Sequence, residues 1–272
     1  IGMSKGWKPV NENDLTVIDD VRIYSRKLSS EEIRAAYEKI FPRQKKKHSQ
    51  FKLTVPQGKK ITADGKLSAG EWDDATVVPL INPVGNGKNK ITPALLFIKA
   101  DKDNIMTAVR VEKSPSAAIK NNDNPRIWQD DCFEIHLDSA KKHRWQFILN
   151  SNGALYDAAG YFADSQYYAS KMQKSYQSNA LYGAADCKNY WTAELVIPKK
   201  SLASMQDLTA NFGITSKYKD SQSHCCWTAN AINYFQQEKF GKLIFDGPAV
   251  QIKNFTVENN SASVFVQSKE KN

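Results

Sequence analysis

The sequence predicts an all-β fold: an antiparallel β-sandwich, immunoglobulin- or jelly-roll-like, with a short strand-helix extension on its N-terminal side. Three observations carry this prediction. Apolar and polar residues alternate with period two through a series of short segments, the pattern of strands that turn one face to a core. Turn chemistry separates those segments, as in DKDN (101–104) and SNG (151–153). Helical periodicity is confined to one stretch near the N-terminus and two brief candidates further on. With 272 residues, 41% of them hydrophobic, the chain can form one large domain or two smaller ones.

Taken in order, LTVIDDVRIYS (15–25) alternates and predicts a strand. In LSSEEIRAAYEKIF, Ser29 stands three residues before Glu32, a capping box, and predicts a helix that Pro42 ends. One strand and one helix cannot bury a core unaided. The charged run RQKKKHSQ (43–50) predicts a linker. Residues 51–247 form the main body, with strands predicted at ALLFIKA, IMTAVRVE, CFEIHLD, RWQFILN, ALYDAAG, NYWTAELVIP and NFGITSKYK. SAGEWDDA (68–75) and PKKSLAS (198–204) are the brief helix candidates, and Trp72 is expected inside. The segment GYFADSQYYASKMQKSYQ (160–177) reads as a loop, whose rings either cover the sandwich edge or extend a platform. Residues 248–272 hold VQIKNFTV and SASVFVQ, a hairpin that is expected to start a further β-domain. The opening IGMSKGW is read as the start of a piece of a longer protein.

In CFEIHLD, alternation turns Phe133, Ile135 and Leu137 to the core and Cys132, Glu134 and His136 to the other face. Trp128 stands before this strand, after Pro125 and next to Asp130 and Asp131, where the chain is irregular and close to a rim. Position alone leaves it open between core filler and ligand contact.

Two resemblances add to this reading. IDDVRIYSRKLSSEEIRAAY (18–37) resembles the C-terminal end of laminin-G-like (concanavalin-like) domains, which implies that residues 1–42 are the remnant of such a domain. The ordered series ITADGKLSAGEWDDA, IWQDDCFEIHLD, WQFILNSNG, YWTAELVIP and FGKLIF, across about 58–246, resembles family-9 carbohydrate-binding modules and their wider DOMON-like relatives. That family is an antiparallel sandwich that clamps a sugar ring between two aromatic side chains, often at chain ends. The resemblance implies that Trp128 and Tyr234 form the clamp, that the Glu134 carboxylate and the Asn150 amide hydrogen-bond sugar hydroxyls, and that Gln129 and Gln146 assist. Two positions depart from the pattern, Ile148 for an arginine and Ala231 for an asparagine, so two polar contacts are lost. The remaining chemistry suits a sugar. The C–H face of a ring stacks on a flat aromatic, and its hydroxyls need planar, two-toothed partners, because a buried donor left unpaired costs about 1–3 kcal/mol.

Other classes fit the sequence less well. Asp130, Asp131 and Glu134 form the one carboxylate cluster near an aromatic, but the adjacent aspartates point apart and no second cluster completes a glycosidase pair. The chain is therefore read as a non-catalytic accessory region, with glycoside hydrolase partners in mind. A haem-binding DOMON-like domain would need axial ligands such as His136 with Met106 or Met172. A structural or protein-interaction sandwich with a decayed sugar site is the main alternative. The net charge of +9 is dispersed apart from Arg43–Lys47, which argues against nucleic acid, and no apolar run is long enough to span a membrane. Cys132, Cys187, Cys225 and Cys226 lack zinc spacing, and the adjacent pair would point to opposite faces of a strand. No cofactor is predicted beyond room for a structural calcium. Asn254 and Asn259 open glycosylation sequons. The expected setting is secreted or cell-surface, with carbohydrate as ligand and further domains in the same chain.

Overall fold

The computed structural model describes residues 28–32, 51–84, 91–116, 118–124, 126–140, 143–161, 172–173, 175–228, 239–258 and 261–268. The chain divides into two compact units, Ile1–Lys47 and His48–Asn272. In the first unit only the helix start is described, and it carries the expected capping box. Ser29 N donates to Glu32 Oε2 at 2.8 Å and Glu32 N to Ser29 Oγ at 3.2 Å. The strand expected at 15–25 lies outside the described residues, as do the linker and most of the stretch that resembles a laminin-G-like domain.

The second unit is built from strands. In chain order they are β1 (Lys52–Val55), β2 (Thr76–Pro79), β3 (Asn82–Pro83), β4 (Ala94–Ala100), β5 (Asn104–Val111) and β6 (Cys132–Asp138). Next come β7 (His143–Asn150), β8 (Leu155–Tyr161), β9 (Met172–Gln173), β10 (Leu181–Asp186) and β11 (Trp191–Pro198). The last are β12 (Thr209–Lys217), β13 (Gln222–Cys226), β14 (Gly241–Phe245), β15 (Val250–Glu258) and β16 (Ser261–Ser268). The first sheet has the order β1-β14-β12-β6-β7-β8-β9, with β13 on β12 and β3 on β13. The second is β10-β11-β5-β4-β2, and β15 and β16 form a separate antiparallel hairpin. This is the predicted sandwich. Every pairing between its named strands is antiparallel except β1 on β14, which is parallel with Lys52 opposite Lys242 and Val55 opposite Phe245.

The core lies between the two sheets. Phe133, Ile135 and Leu137 of β6 meet Trp145, Phe147 and Leu149 of β7. From the other sheet come Leu96 and Ile98 of β4, Val109 and Val111 of β5, and Trp191, Leu195 and Ile197 of β11. Each is an alternate residue of its strand, so period-two patterning alone selects them. The Asp101 carboxylate accepts from Asp103 N and Asn104 N, closing the DKDN turn between β4 and β5. Gly153, with φ +78°, closes SNG between β7 and β8.

The outward face of the second sheet is covered by the segment before β2. Residues 68–75 are a run of turns, not the helix that was expected, and they carry Trp72 onto Met106, Ala108 and Val196. A helix is excluded here because two tight contacts hold the backbone flat against the sheet. Gly65, with φ +85°, crosses Gly183 so closely that a Cβ on Gly65 would meet the Ala184 backbone at 2.5 Å. Glu194, fully buried on β11, accepts from Trp72 Nε1 and from Gly65 N, both at 2.9 Å. Lys99, also fully buried, donates to Glu71 O at 2.6 Å and Asp74 Oδ1 at 2.7 Å, with its Nζ 5.3 Å from the centre of the Trp72 ring. The second helix candidate shortens to a single 3-10 turn, Lys199–Ser201. Tyr176 packs against the core and its hydroxyl donates to Ser201 O, so this ring covers the sandwich edge. Phe162, Tyr167, Tyr168 and Phe235 lie outside the described residues.

Candidate functional site

The site is assembled from a short turn and the outward face of the first sheet. Residues Ile127–Gln129 form one 3-10 turn immediately before β6. Ile127 is fully buried and fills an apolar cluster with Cys132, Ile148, Ala154, Tyr156 and Ala158. With Ile127 taking the inward place, the next two side chains turn out. Trp128 is 44% exposed, and among the described residues the other exposed large hydrophobic is Leu181. The turn is rigidly held. Ile127 N donates to Asn124 O, Gln129 N to Arg126 O and Asp130 N to Ile127 O. Gln222 Nε2, from β13, donates to Gln129 O at 2.8 Å.

The paired aspartates fasten the turn from below. Asp130 Oδ2 accepts from Ile119 N at 2.9 Å and Asn150 Nδ2 at 3.0 Å. Asp131, fully buried, accepts from Ser116 N, from Lys217 N and from the Lys113 ammonium. Both carboxylates are therefore occupied by protein N–H groups in a structural knot.

Beyond the turn, the register of the sheet lines up a polar face. Glu134 lies between Gly213 of β12 and Ile148 of β7, and His136 lies between Asn211 and Gln146. Glu134 Oε2 is 3.2 Å from His136 Nε2, and Thr215 Oγ1 donates to Glu134 Oε1 at 3.1 Å. Thr215 Oγ1 is also 3.0 Å from His224 Nδ1. Since Thr215 gives its only proton to Glu134, the hydrogen at His224 Nδ1 must come from the ring. Burial holds the His224 pKa below the usual imidazole value, opposed by the charge of Glu134. Cys132 links face and turn, with Sγ 3.9 Å from Trp128 O and 3.8 Å from Glu134 Oε1. Burial and the neighbouring Glu134 push its thiol well above the ordinary cysteine value, so it remains protonated.

The predicted residues separate into three groups. Trp128 and Gln129 are exposed at the rim. Glu134 and Gln146 are on the polar face and nearly covered, at 3% and 6% exposure. The Asn150 amide is turned into the protein: its Nδ2 donates to Ile119 O and Asp130, and its Oδ1 accepts from Asn152 N and Ala154 N. Tyr234 and Ala231 lie outside the described residues. Ile148, where a family arginine would stand, belongs to the apolar cluster beneath the turn. Sequence reading missed Thr215, His224 and Gln222. Thr215 was within reach, because Phe212 and Ile214 point inward and leave Asn211, Gly213 and Thr215 on the face of Glu134. That β12 is the neighbour of β6 was not. All four cysteines are free thiols, and Cys225 and Cys226 do divide between two faces, Cys225 in the core and Cys226 against Val84. Among the described residues no three His, Cys, Asp or Glu side chains gather around a metal position, and no helix is long and apolar enough to cross a membrane.

No protein-family model matches the chain, and no curated protein sequence matches it significantly. Solved structures do. A protein from Bacteroides uniformis described as carbohydrate-binding superposes with a TM-score of 0.59 at 16% identity, over 72% of this chain and 99% of its own. A family-9 carbohydrate-binding module from Caldicellulosiruptor kristjanssonii, in complex with cellotriose, gives 0.53 at 14% identity, over 73% of this chain and 95% of its own. The Caldicellulosiruptor kristjanssonii family-9 module in complex with glucose gives 0.53 at 14% identity, over 75% and 100%. At these identities the likeness is one of fold.

Proposed function

We propose that the chain is a non-catalytic carbohydrate-binding module of a larger secreted or cell-surface protein. The observation that carries this reading is the exposed indole of Trp128, held on a braced turn at the end of a polar face of carboxylate, amide, hydroxyl and imidazole groups. Such a rim offers a flat apolar surface to the C–H face of a sugar and planar hydrogen-bonding partners to its hydroxyls. The fold shared with modules that hold cellotriose and glucose supports it. In this reading Trp128 stacks on the ring, Tyr234 is its clamp partner, and Glu134 is the main polar contact, with Gln129 and Gln146 beside it. Asn150 serves the site by holding the turn, since its amide is already engaged.

A second reading has support in the same geometry. Glu134 already receives Thr215 and sits against His136, which suits a sandwich whose sugar site has decayed to structure. A glycan panel that begins with glucose and cello-oligosaccharides separates the two. Binding that falls about tenfold or more in Trp128→Ala, the loss of a contact worth about 1.4 kcal/mol, supports the module. Absence of any ligand, or a ligand held equally well by the variant, sinks it.

A further inference from the structure

The rim beside Trp128 is gathered around a nearly buried positive charge. Lys113 leaves the end of β5, and its Nζ lies 2.9 and 3.1 Å from the two carboxylate oxygens of Asp131. It is also 2.9 Å from Ser114 O and 3.4 Å from Ser116 Oγ. The Tyr218 ring closes the remaining side, its centre 5.4 Å away. The lysine side chain is only 14% exposed and that of Asp131 is fully buried. A primary ammonium has three protons, yet four oxygens surround it, so charge rather than hydrogen-bond count organises the cage. Ser116 extends the arrangement, its Oγ donating to Lys217 O at the end of β12. Three stretches distant in sequence are thereby joined: the exit of β5, the residues between Trp128 and β6, and the end of β12.

We propose that Lys113 is a built-in cation, doing at this rim what a bound divalent metal ion would otherwise do. It neutralises Asp131 and ties the β5 exit to the chain just beyond the turn that carries Trp128. Two consequences separate this from an ordinary ion pair. In the native protein this part of the rim keeps its order without any divalent cation. Without the ammonium, two carboxylate oxygens, a carbonyl and a hydroxyl are left facing one vacancy, a donor set of the hard-oxygen kind that calcium accepts. The inference does not depend on the carbohydrate reading, because no sugar enters its test.

The test compares thermal midpoints of wild type, Lys113→Ala and the double variant Lys113→Ala/Asp131→Asn, each with and without millimolar calcium chloride. The expected result is a midpoint several degrees lower in Lys113→Ala, with calcium restoring part of the loss and shifting wild type less. Asp131→Asn in the same background should abolish the recovery. No recovery in Lys113→Ala, equal shifts in wild type, or a recovery that survives in the double variant each overturns the proposal. Should Lys113→Ala not fold, the amine nitrogen spectrum of wild type decides: a caged Lys113 ammonium exchanges its protons slowly, and a freely exchanging one overturns the proposal.

Discussion

Trp72 and Trp128 stand in nearly the same words, EWDDA and IWQDDC, and meet opposite fates. Each lies on a tight turn before a strand, and in each an aspartate just beyond is held by a lysine from the neighbouring strand region. Asp74 meets Lys99 at 2.7 Å and Asp131 meets Lys113 at 2.9 Å. Trp72 is nonetheless only 5% exposed, its indole N–H bound to Glu194, while Trp128 is 44% exposed. The residue before each tryptophan decides the outcome. Ile127 is apolar and occupies the inward place itself, turning Trp128 out. Glu71 is polar and half-buried, accepts the Lys99 ammonium on its carbonyl, and leaves the inward place to Trp72. An anchored turn is thus indifferent to whether it serves packing or display, and one neighbouring side chain sets which.

Truncation is the sharpest way to break this comparison. Trp72→Ala should cost about 3–5 kcal/mol in denaturant unfolding, the range for emptying a large buried site. A cost below about 1 kcal/mol would show that its burial is incidental. Removing one anchor comes next. Asp131→Ala leaves the Lys113 ammonium in a mostly covered cage, and about 3 kcal/mol of lost stability is expected from a broken buried pair. Urea midpoints equal to wild type would contradict the anchoring role.

Glu194 sharpens the Trp72 side through pH. Burial raises its pKa to about 7 against the two hydrogen bonds it accepts, with Glu71 and Asp64 adding to the rise. A carboxyl whose folded pKa is raised binds its proton more tightly in the native state. Its stabilising contribution is complete below the unfolded value near 4.5 and is lost as pH rises through about 7. Thermal midpoints of wild type should therefore fall across that window more than those of Glu194→Gln, and parallel curves would refute the assignment. The smallest effect belongs to Trp128→Ala, whose stability should lie within about 0.5 kcal/mol of wild type, as for an exposed side chain. A larger loss in unfolding experiments would place Trp128 with Trp72 as packing.

The sandwich was legible because its long strands each bury one face, as in the Phe133, Ile135, Leu137 trio. Short strands were not: β1 is placed by β14, far along the chain, and β10 (LYGAAD) and β13 (QSHCC), though hairpin partners of β11 and β12, carry no clear apolar alternation of their own. The turn 68–75 deceived for a related reason, since the contacts of Gly65 with Gly183 and of Trp72 with Glu194 reach across more than a hundred residues. At the site, Trp128 and Glu134 could be singled out from spacing and resemblance. The support beneath them, Lys113, Thr215, Gln222 and His224, could not, because it depends on which strands lie side by side. The inward turn of the Asn150 amide is equally invisible in one dimension, fixed as it is by a carbonyl at Ile119 and a carboxylate at Asp130.

The parallel pairing of β1 with β14 has a mechanical meaning. The two strands that open and close the main sheet run side by side in the same direction, pinned further by Asp246 N on Val55 O and by Gln57 on Asp246. The chain enters at one end of this pair and leaves at the other. A pull on the segments before β1 and after β14 therefore drags the two strands lengthwise past each other, loading their rungs together rather than one at a time. The seam resists stretching in the way a lap joint does, and the sandwich can bear tension between whatever holds its two ends.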